Sequence, residues 1–128
     1  MTCLLIICSG YVTICLHFQD CHIEHIPALA FEGLGHLERL VIKTTLPEDR
    51  RLAIGIDGFV GIPGLKALEI PGNHLRSIPP NELCYLSQLR NLELSGNDIS
   101  SLDDLGITNP DCLPELERLA LAGNAVSR

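Results

Sequence analysis

Cys15-x-His17 followed by Cys21-His22-x-x-His25 gathers two thiols and three imidazoles within a short stretch, and thiolates with imidazoles are the donor set of a zinc site. The apolar phase around them opposes convergence. With Leu16 and Phe18 pointing inward, His17 faces out, Cys21 takes a later inward position, and His22 and His25 fall in the turn that follows. A buried or disulfide-bonded Cys21 fits that phase better than a metal ligand. Asp103-Asp104 and Asp111 contain the carboxylates of a calcium loop or a glycosidase pair. However, Asn109-Pro110-Asp111 and Pro114 mark turns, and a turn-rich loop accounts for the acids without either chemistry. No nucleophile elbow, phosphate loop or metalloprotease motif is present. No catalytic, cofactor-binding or metal-ligating residue is expected, and no enzyme.

The scaffold positioning these residues is aliphatic. Leu and Ile contribute 23 and 13 of 128 residues and aromatics only 4%, so branched aliphatics fill the core of a single modest domain. Asp and Glu outnumber Lys and Arg by 16 to 9, for a net charge of -7, which disfavours nucleic acid as a partner. Six cysteines are many for a reducing compartment: Cys3, Cys8, Cys15 and Cys21 cluster at the start, while Cys84 and Cys112 stand alone. Their even number allows every pairing and specifies none. The apolar run from Cys3 to Leu16 has the hydrophobicity of a secretory leader, yet no Lys or Arg precedes it and no small-x-small cleavage site follows. It is shorter than the ~20 apolar residues that cross a bilayer, so no membrane contact by this segment is expected. There is also no Asn-x-Ser/Thr sequon.

Aligned on itself, the chain repeats Leu-x-x-Leu-x-Leu-x-x-Asn-x-Leu, the signature of a leucine-rich repeat. The clearest copy is Leu89, Leu92, Leu94, Asn97 and Ile99; two others are Leu65, Leu68, Ile70, Asn73, Leu75 and Leu116, Leu119, Leu121, Asn124, Val126. Two weaker copies carry Thr45 and Cys21 in the asparagine place. Their central leucines, at 16, 40, 68, 92 and 119, are spaced 24, 28, 24 and 27 residues apart. The expected fold is α/β: a solenoid of about five repeats, with a parallel sheet on the concave face and an irregular, short-helical convex side. Alternation in each short strand turns every second side chain inward. The chain then bends, and Cys21, Thr45, Asn73, Asn97 and Asn124 form a ladder whose amides satisfy backbone groups left open by the bend. Gly72, Gly96 and Gly123 precede the asparagines, where a positive φ suits the corner. Phe31, Phe59 and Leu83 plug the outer core.

Two stretches exceed a plain repeat. Residues 45–61 carry Pro47-Glu48-Asp49-Arg50-Arg51, a charged loop expected to bulge from one edge, and residues 100–114 hold further turns. Leu52, Ile54, Ile56, Ile62, Leu102, Leu105, Ile107 and Leu113 are read as apolar anchors that keep the solenoid continuous. Residues 1–11 form a degenerate amino-terminal segment or an incomplete first coil, and residues 12–128 the repeat domain, expected to be a fragment without a carboxy-terminal cap.

From about Val12 to Ser127 the chain resembles the amino-terminal ectodomain of arthropod Toll-like receptors, especially the long Toll group related to Tollo and 18-wheeler. Cys21-His22-Ile23-Glu24-His25-Ile26-Pro27, Ala30-Phe31-Glu32-Gly33-Leu34, Leu40-Val41-Ile42-Lys43-Thr44, Ser77-Ile78-Pro79 with Cys84, and Leu102-Asp103-Asp104-Leu105-Gly106 carry the resemblance. It implies recognition of a protein ligand or receptor ectodomain on the extracellular side of the plasma membrane, as part of a longer receptor that signals elsewhere. Binding is expected on the outward strand positions: His17, Gln19, Arg39, Val41, Lys43, Ala67, Glu69, Asn91, Glu93, Ser95 and Arg118, with Cys15, Pro71, Ala120 and Ala122 completing the grid. Their mixed charge suits a protein better than a polyanion. The alternatives are an intracellular adaptor or scaffold, cytoplasmic if the chain is complete as given, and a non-functional receptor remnant. Paired cysteines favour the secretory route, free ones the cytosol.

Overall fold

The computed structural model describes residues 4–9 and 14–125. Cys3 and Val126, and the Val12 and Ser127 bounds of the resemblance, lie outside them. Among the described residues eight strands form: β1 (Leu4–Ser9), β2 (Ile14–Cys21), β3 (His25–Ile26), β4 (Leu37–Thr44), β5 (Ala53–Ile54), β6 (Ala67–Glu69), β7 (Asn91–Glu93) and β8 (Arg118–Ala120). The main sheet runs β1-β2-β4-β6-β7-β8, and β3 with β5 makes a second, two-stranded sheet. From β2 onward neighbours are parallel, with Leu16, Leu40, Leu68, Leu92 and Leu119 in one register row. These five strands belong to repeats one to five and delimit about four turns of a leucine-rich-repeat solenoid. β1 instead runs antiparallel to β2, Leu4 opposite Gln19, whereas a coil of the solenoid would contribute a parallel strand.

The aliphatic composition is realised as one core. Leu40, Leu68 and Leu92 face inward from the strands and Leu65 and Leu89 from the turns that lead into β6 and β7, and Phe31, Phe59 and Leu83 close it from the convex side. Connections there are irregular, with two 3-10 turns, Leu83–Tyr85 and Leu102–Leu105. Gly72, Gly96 and Gly123 have φ of 65°, 71° and 73°, the left-handed conformation that the corner before each asparagine requires. Burial fades in the fifth repeat: Leu119 is 40% exposed where Leu92, in the same row, is 1%.

Three anchors read from the pattern do not reach the core. Ile56 is 73% exposed, and Leu102 and Ile107 are also exposed. Ile56 lies between Gly55, whose amide donates to the Ile26 carbonyl, and Asp57, whose amide donates to Glu82, and these backbone bonds leave its side chain outside. Leu102 opens a 3-10 turn whose inward residue is Leu105. In that turn Ser101 and Asp104 form a capping box: the Ser101 hydroxyl accepts from the Asp103 amide at 3.2 Å and the Asp104 carboxylate from the Ser101 amide at 3.1 Å. Asp104 is thus committed to capping.

Candidate protein-binding face

The asparagine ladder fixes one edge of the concave sheet. Asn97 Oδ1 accepts from the amides of Asn73 (2.8 Å) and Leu75 (3.0 Å), and its Nδ2 donates to the carbonyls of Ile70 (2.7 Å) and Leu94 (3.0 Å). Asn73 Nδ2 donates to the carbonyls of Ile42 and Pro71, both at 2.9 Å. Asn124 Nδ2 donates to the Leu94 carbonyl at 2.7 Å, and its Oδ1 accepts from the Ile99 amide at 3.0 Å. One short side chain therefore satisfies groups from two successive turns, as a bend in stacked backbone requires.

The expectation for Thr45 is corrected. Thr45 is exposed, and the amide of Thr44 (3.1 Å) and its hydroxyl donate to Asn73 Oδ1 instead. The cause lies in the preceding strand: Asp20 has φ of 57°, and the β2–β4 register shifts between Gln19 and Cys21, setting Cys21 opposite Thr44. The extra residue belongs to β2, so Thr44, one position before Thr45, comes level with Cys21 where the chain bends. Cys21 is buried at its inward place and its carbonyl accepts from the Thr45 amide at 3.0 Å. Both Cys15 and Cys21 are disulfide-bonded, so neither offers a thiolate to a metal, and His22 is engaged by Glu24 at 2.9 Å. The Cys8 side chain lies outside the described residues. Among those described, no group of three His, Cys, Asp or Glu could hold a metal ion.

The outward positions divide. Arg39, Lys43, Asn91 and Arg118 are exposed; His17, Gln19, Ala67, Glu69, Glu93 and Ser95 are half-buried. Val41 is corrected from an accessible position to a buried one: in register between His17 and Glu69, with Arg39 reaching across to Glu69, it is 1% exposed. Cys15 is likewise buried. His17 Nε2 is shut from water and has no hydrogen-bond partner among the described residues. Arg39 Nε donates to Glu69 Oε2 at 2.7 Å, and this bond raises the arginine pKa above its ordinary value. Glu93 Oε1 accepts from the Ser95 amide at 2.7 Å. Arg39, Ala67, Glu69, Asn91, Glu93 and Arg118 surround a shallow depression of about 480 Å³, with Leu92 and Ala120 completing it. Ala67 and Ala120 leave the room; the charged residues rim it.

Two devices off this face were not read from the sequence. Glu82 is 1% exposed and its carboxylate accepts from the amides of Asp57 and Phe59, each at 2.9 Å, clamping repeat three to repeat two. Nothing in Pro79-Pro80-Asn81-Glu82 distinguishes such a clamp from an ordinary polar turn. The lone Cys84 and Cys112 form a disulfide that joins the convex sides of repeats three and four. The charged loop is tied down at both arginines: Arg50 lies 3.3 Å from Glu24, and Arg51 lies 4.0 Å from Asp98, which also sits 3.6 Å from His74.

A family model described as leucine rich repeat matches residues 45–99. The chain is a leucine-rich-repeat protein. It is 31% identical over 100 residues to Toll-like receptor 7 of Drosophila melanogaster, the match covering 76% of this chain and 7% of the receptor. Leucine-rich repeat-containing protein 56 of Homo sapiens is 36% identical over 106 residues, covering 80% of the chain and 18% of that protein. CD180 antigen of Mus musculus is 32% identical over 107 residues, covering 84% and 15%. The leucine-rich-repeat chain is thus related to Toll-like receptors and spans less than a fifth of each of these relatives. No solved structure matches it significantly. Among the described residues no helix is long and apolar enough to cross a membrane.

Proposed function

We propose that the chain is an extracellular protein-recognition segment of a receptor related to Toll-like receptors, binding a protein ligand or a second receptor ectodomain through its concave face and catalysing nothing. The observation that carries this reading is the depression on the parallel sheet, where Arg39, Glu69, Asn91, Glu93 and Arg118 present both signs of charge over small residues. Its polar groups stand on a rigid, hydrogen-bonded sheet, so little ordering entropy is lost on contact. Mixed charge favours a folded or extended polypeptide over a polyanion. The Cys84–Cys112 pairing supports an oxidising compartment over the cytosolic adaptor reading.

The test places a photo-crosslinking amino acid at Asn91, in the depression, and separately at Glu32, exposed on the convex side. Applied to intact cells of the source tissue, the Asn91 position is expected to give discrete adducts with secreted or surface proteins that the Glu32 position does not. Adducts from Glu32 alone, or with cytosolic proteins alone after lysis, would sink the proposal. Free Cys84 and Cys112 thiols in the native protein would favour the adaptor.

A further inference from the structure

The repeat contains its own template for what the depression accepts. Arg39 and Glu69 pair diagonally: the residue before the central leucine of repeat two meets the residue after the central leucine of repeat three, at 2.7 Å. Moving one repeat along the same sheet, the corresponding acid is Glu93 and the corresponding base position is Ala67. Alanine supplies no charge. Among the described residues Glu93 has no cation within ion-pair distance, and the space over Ala67 is part of the depression.

Resting on the concave-face reading above, we propose that this space is a subsite for one arginine side chain of the protein partner. The guanidinium takes the place that an arginine at position 67 would fill, between the carboxylates of Glu69 and Glu93. These stand opposite each other in register, on strands about 4.8 Å apart. Each carboxylate keeps an oxygen for the newcomer. Glu69 uses Oε2 for Arg39, and Glu93 uses Oε1 for the Ser95 amide. A planar guanidinium with donors on two edges bridges two such oxygens, which a lysine ammonium, as a point charge, does less well.

The neighbouring charges do not cancel this preference. Arg39 is already neutralised by Glu69, and Lys66 is paired with Glu38 at 3.5 Å. Arg118 lines the same depression on the strand beside Glu93, yet it forms no ion pair with Glu93 among the described residues. What remains local to position 67 is the charge of Glu93. Ala67 and Glu93 are half-buried, so part of the water competing for that charge is already excluded.

The test uses the full chain, isotope-labelled, and titrates it with N-acetyl-arginine amide and, in parallel, with the uncharged citrulline counterpart. Amide shifts at Ala67, Glu69, Asn91 and Glu93 are expected to saturate with the arginine derivative and not with citrulline. In Glu93→Gln the affinity is expected to fall about tenfold. In Ala67→Arg the subsite is filled from within and the titration is lost. Thermal melts of both variants, expected to match the parent, show that the sheet is intact. Equal shifts with citrulline, or an affinity unchanged in both variants, would overturn the proposal. The two readings fail separately: crosslinks from Asn91 that survive Ala67→Arg keep the concave face and remove the arginine subsite. Saturable arginine binding without any Asn91 adduct keeps the subsite and removes the proposed partner class.

Discussion

Repeats two and four solve the same bend by different means. In repeat four a single buried amide, Asn97, closes four backbone groups of two turns. Repeat two offers no asparagine. Its rung falls one position early, where Thr44 lends an amide and a hydroxyl to Asn73, and the loop is held by ion pairs at exposed Arg50 and half-buried Arg51. A coil that carries the asparagine is thus fastened from inside, whereas the coil without it is fastened from its surface. Buried hydrogen bonds cost far more to break than exposed ion pairs, so repeat two is the softer of the two.

That contrast can be broken first at Asn97. Asn97→Ala leaves buried amides and carbonyls without partners and is expected to cost about 4 kcal/mol, read as a lower urea midpoint with an unchanged slope. The same change at half-buried Asn124, whose groups water reaches, is expected to cost about 1 kcal/mol. Comparable losses at both would mean that burial does not set the value of a rung. Next in size is the convex staple: Cys84→Ala with Cys112→Ala releases a loop of 28 residues' separation, for which unfolded-chain entropy gives a loss of about 3.5 kcal/mol. Calorimetry should show a clearly lower Tm for the double variant.

The ladder correction yields a finer test. Thr44→Val should cost about 1 kcal/mol by removing a hydroxyl donor from Asn73, while Thr45→Val, at an exposed position, should stay within about 0.5 kcal/mol of the parent. The reverse order would return the rung to Thr45 and refute the shifted bend. The smallest effect belongs to the surface of repeat two. The Glu24 carboxyl is held below the usual carboxylate range first by its hydrogen bond with His22 and then by Arg50. Any stability it lends is present above the ordinary carboxylate range and is lost as pH falls through the lowered folded-state value. An NMR titration should find Glu24 returning upward in His22→Ala more than in Arg50→Ala. No movement in either would detach the loop from its proposed anchors.

What sequence made legible follows from what is local. Alternating leucines place β4, β6, β7 and β8 because burial on one face of a strand depends only on spacing; Gly72, Gly96 and Gly123 declare their corners, and Asn73, Asn97 and Asn124 their bend. Thr45 was misread because the bend is moved by Asp20 in the neighbouring strand, and such a register slip is written in the pairing of two segments. Val41 alternates correctly and is nevertheless buried, since its cover comes from His17 and Glu69 on adjacent strands. Ile56 has the hydropathy of a core residue and lies outside because its flanking amides are bound elsewhere. For the concave face, the outward positions could be counted from the pattern. The Arg39–Glu69 diagonal, and hence the vacancy over Ala67, required knowing which strand lies beside which.

The cystine between repeats three and four also has a mechanical meaning. If the solenoid is pulled along its axis, the surface-fastened second repeat is expected to yield before repeats three and four. The 28 residues' separation from Cys84 to Cys112 then withholds roughly 95 Å of extended chain at about 3.4 Å per residue until the bond is reduced. Under load repeats three and four stay one link, and how far that link lengthens is set by the redox state of its surroundings.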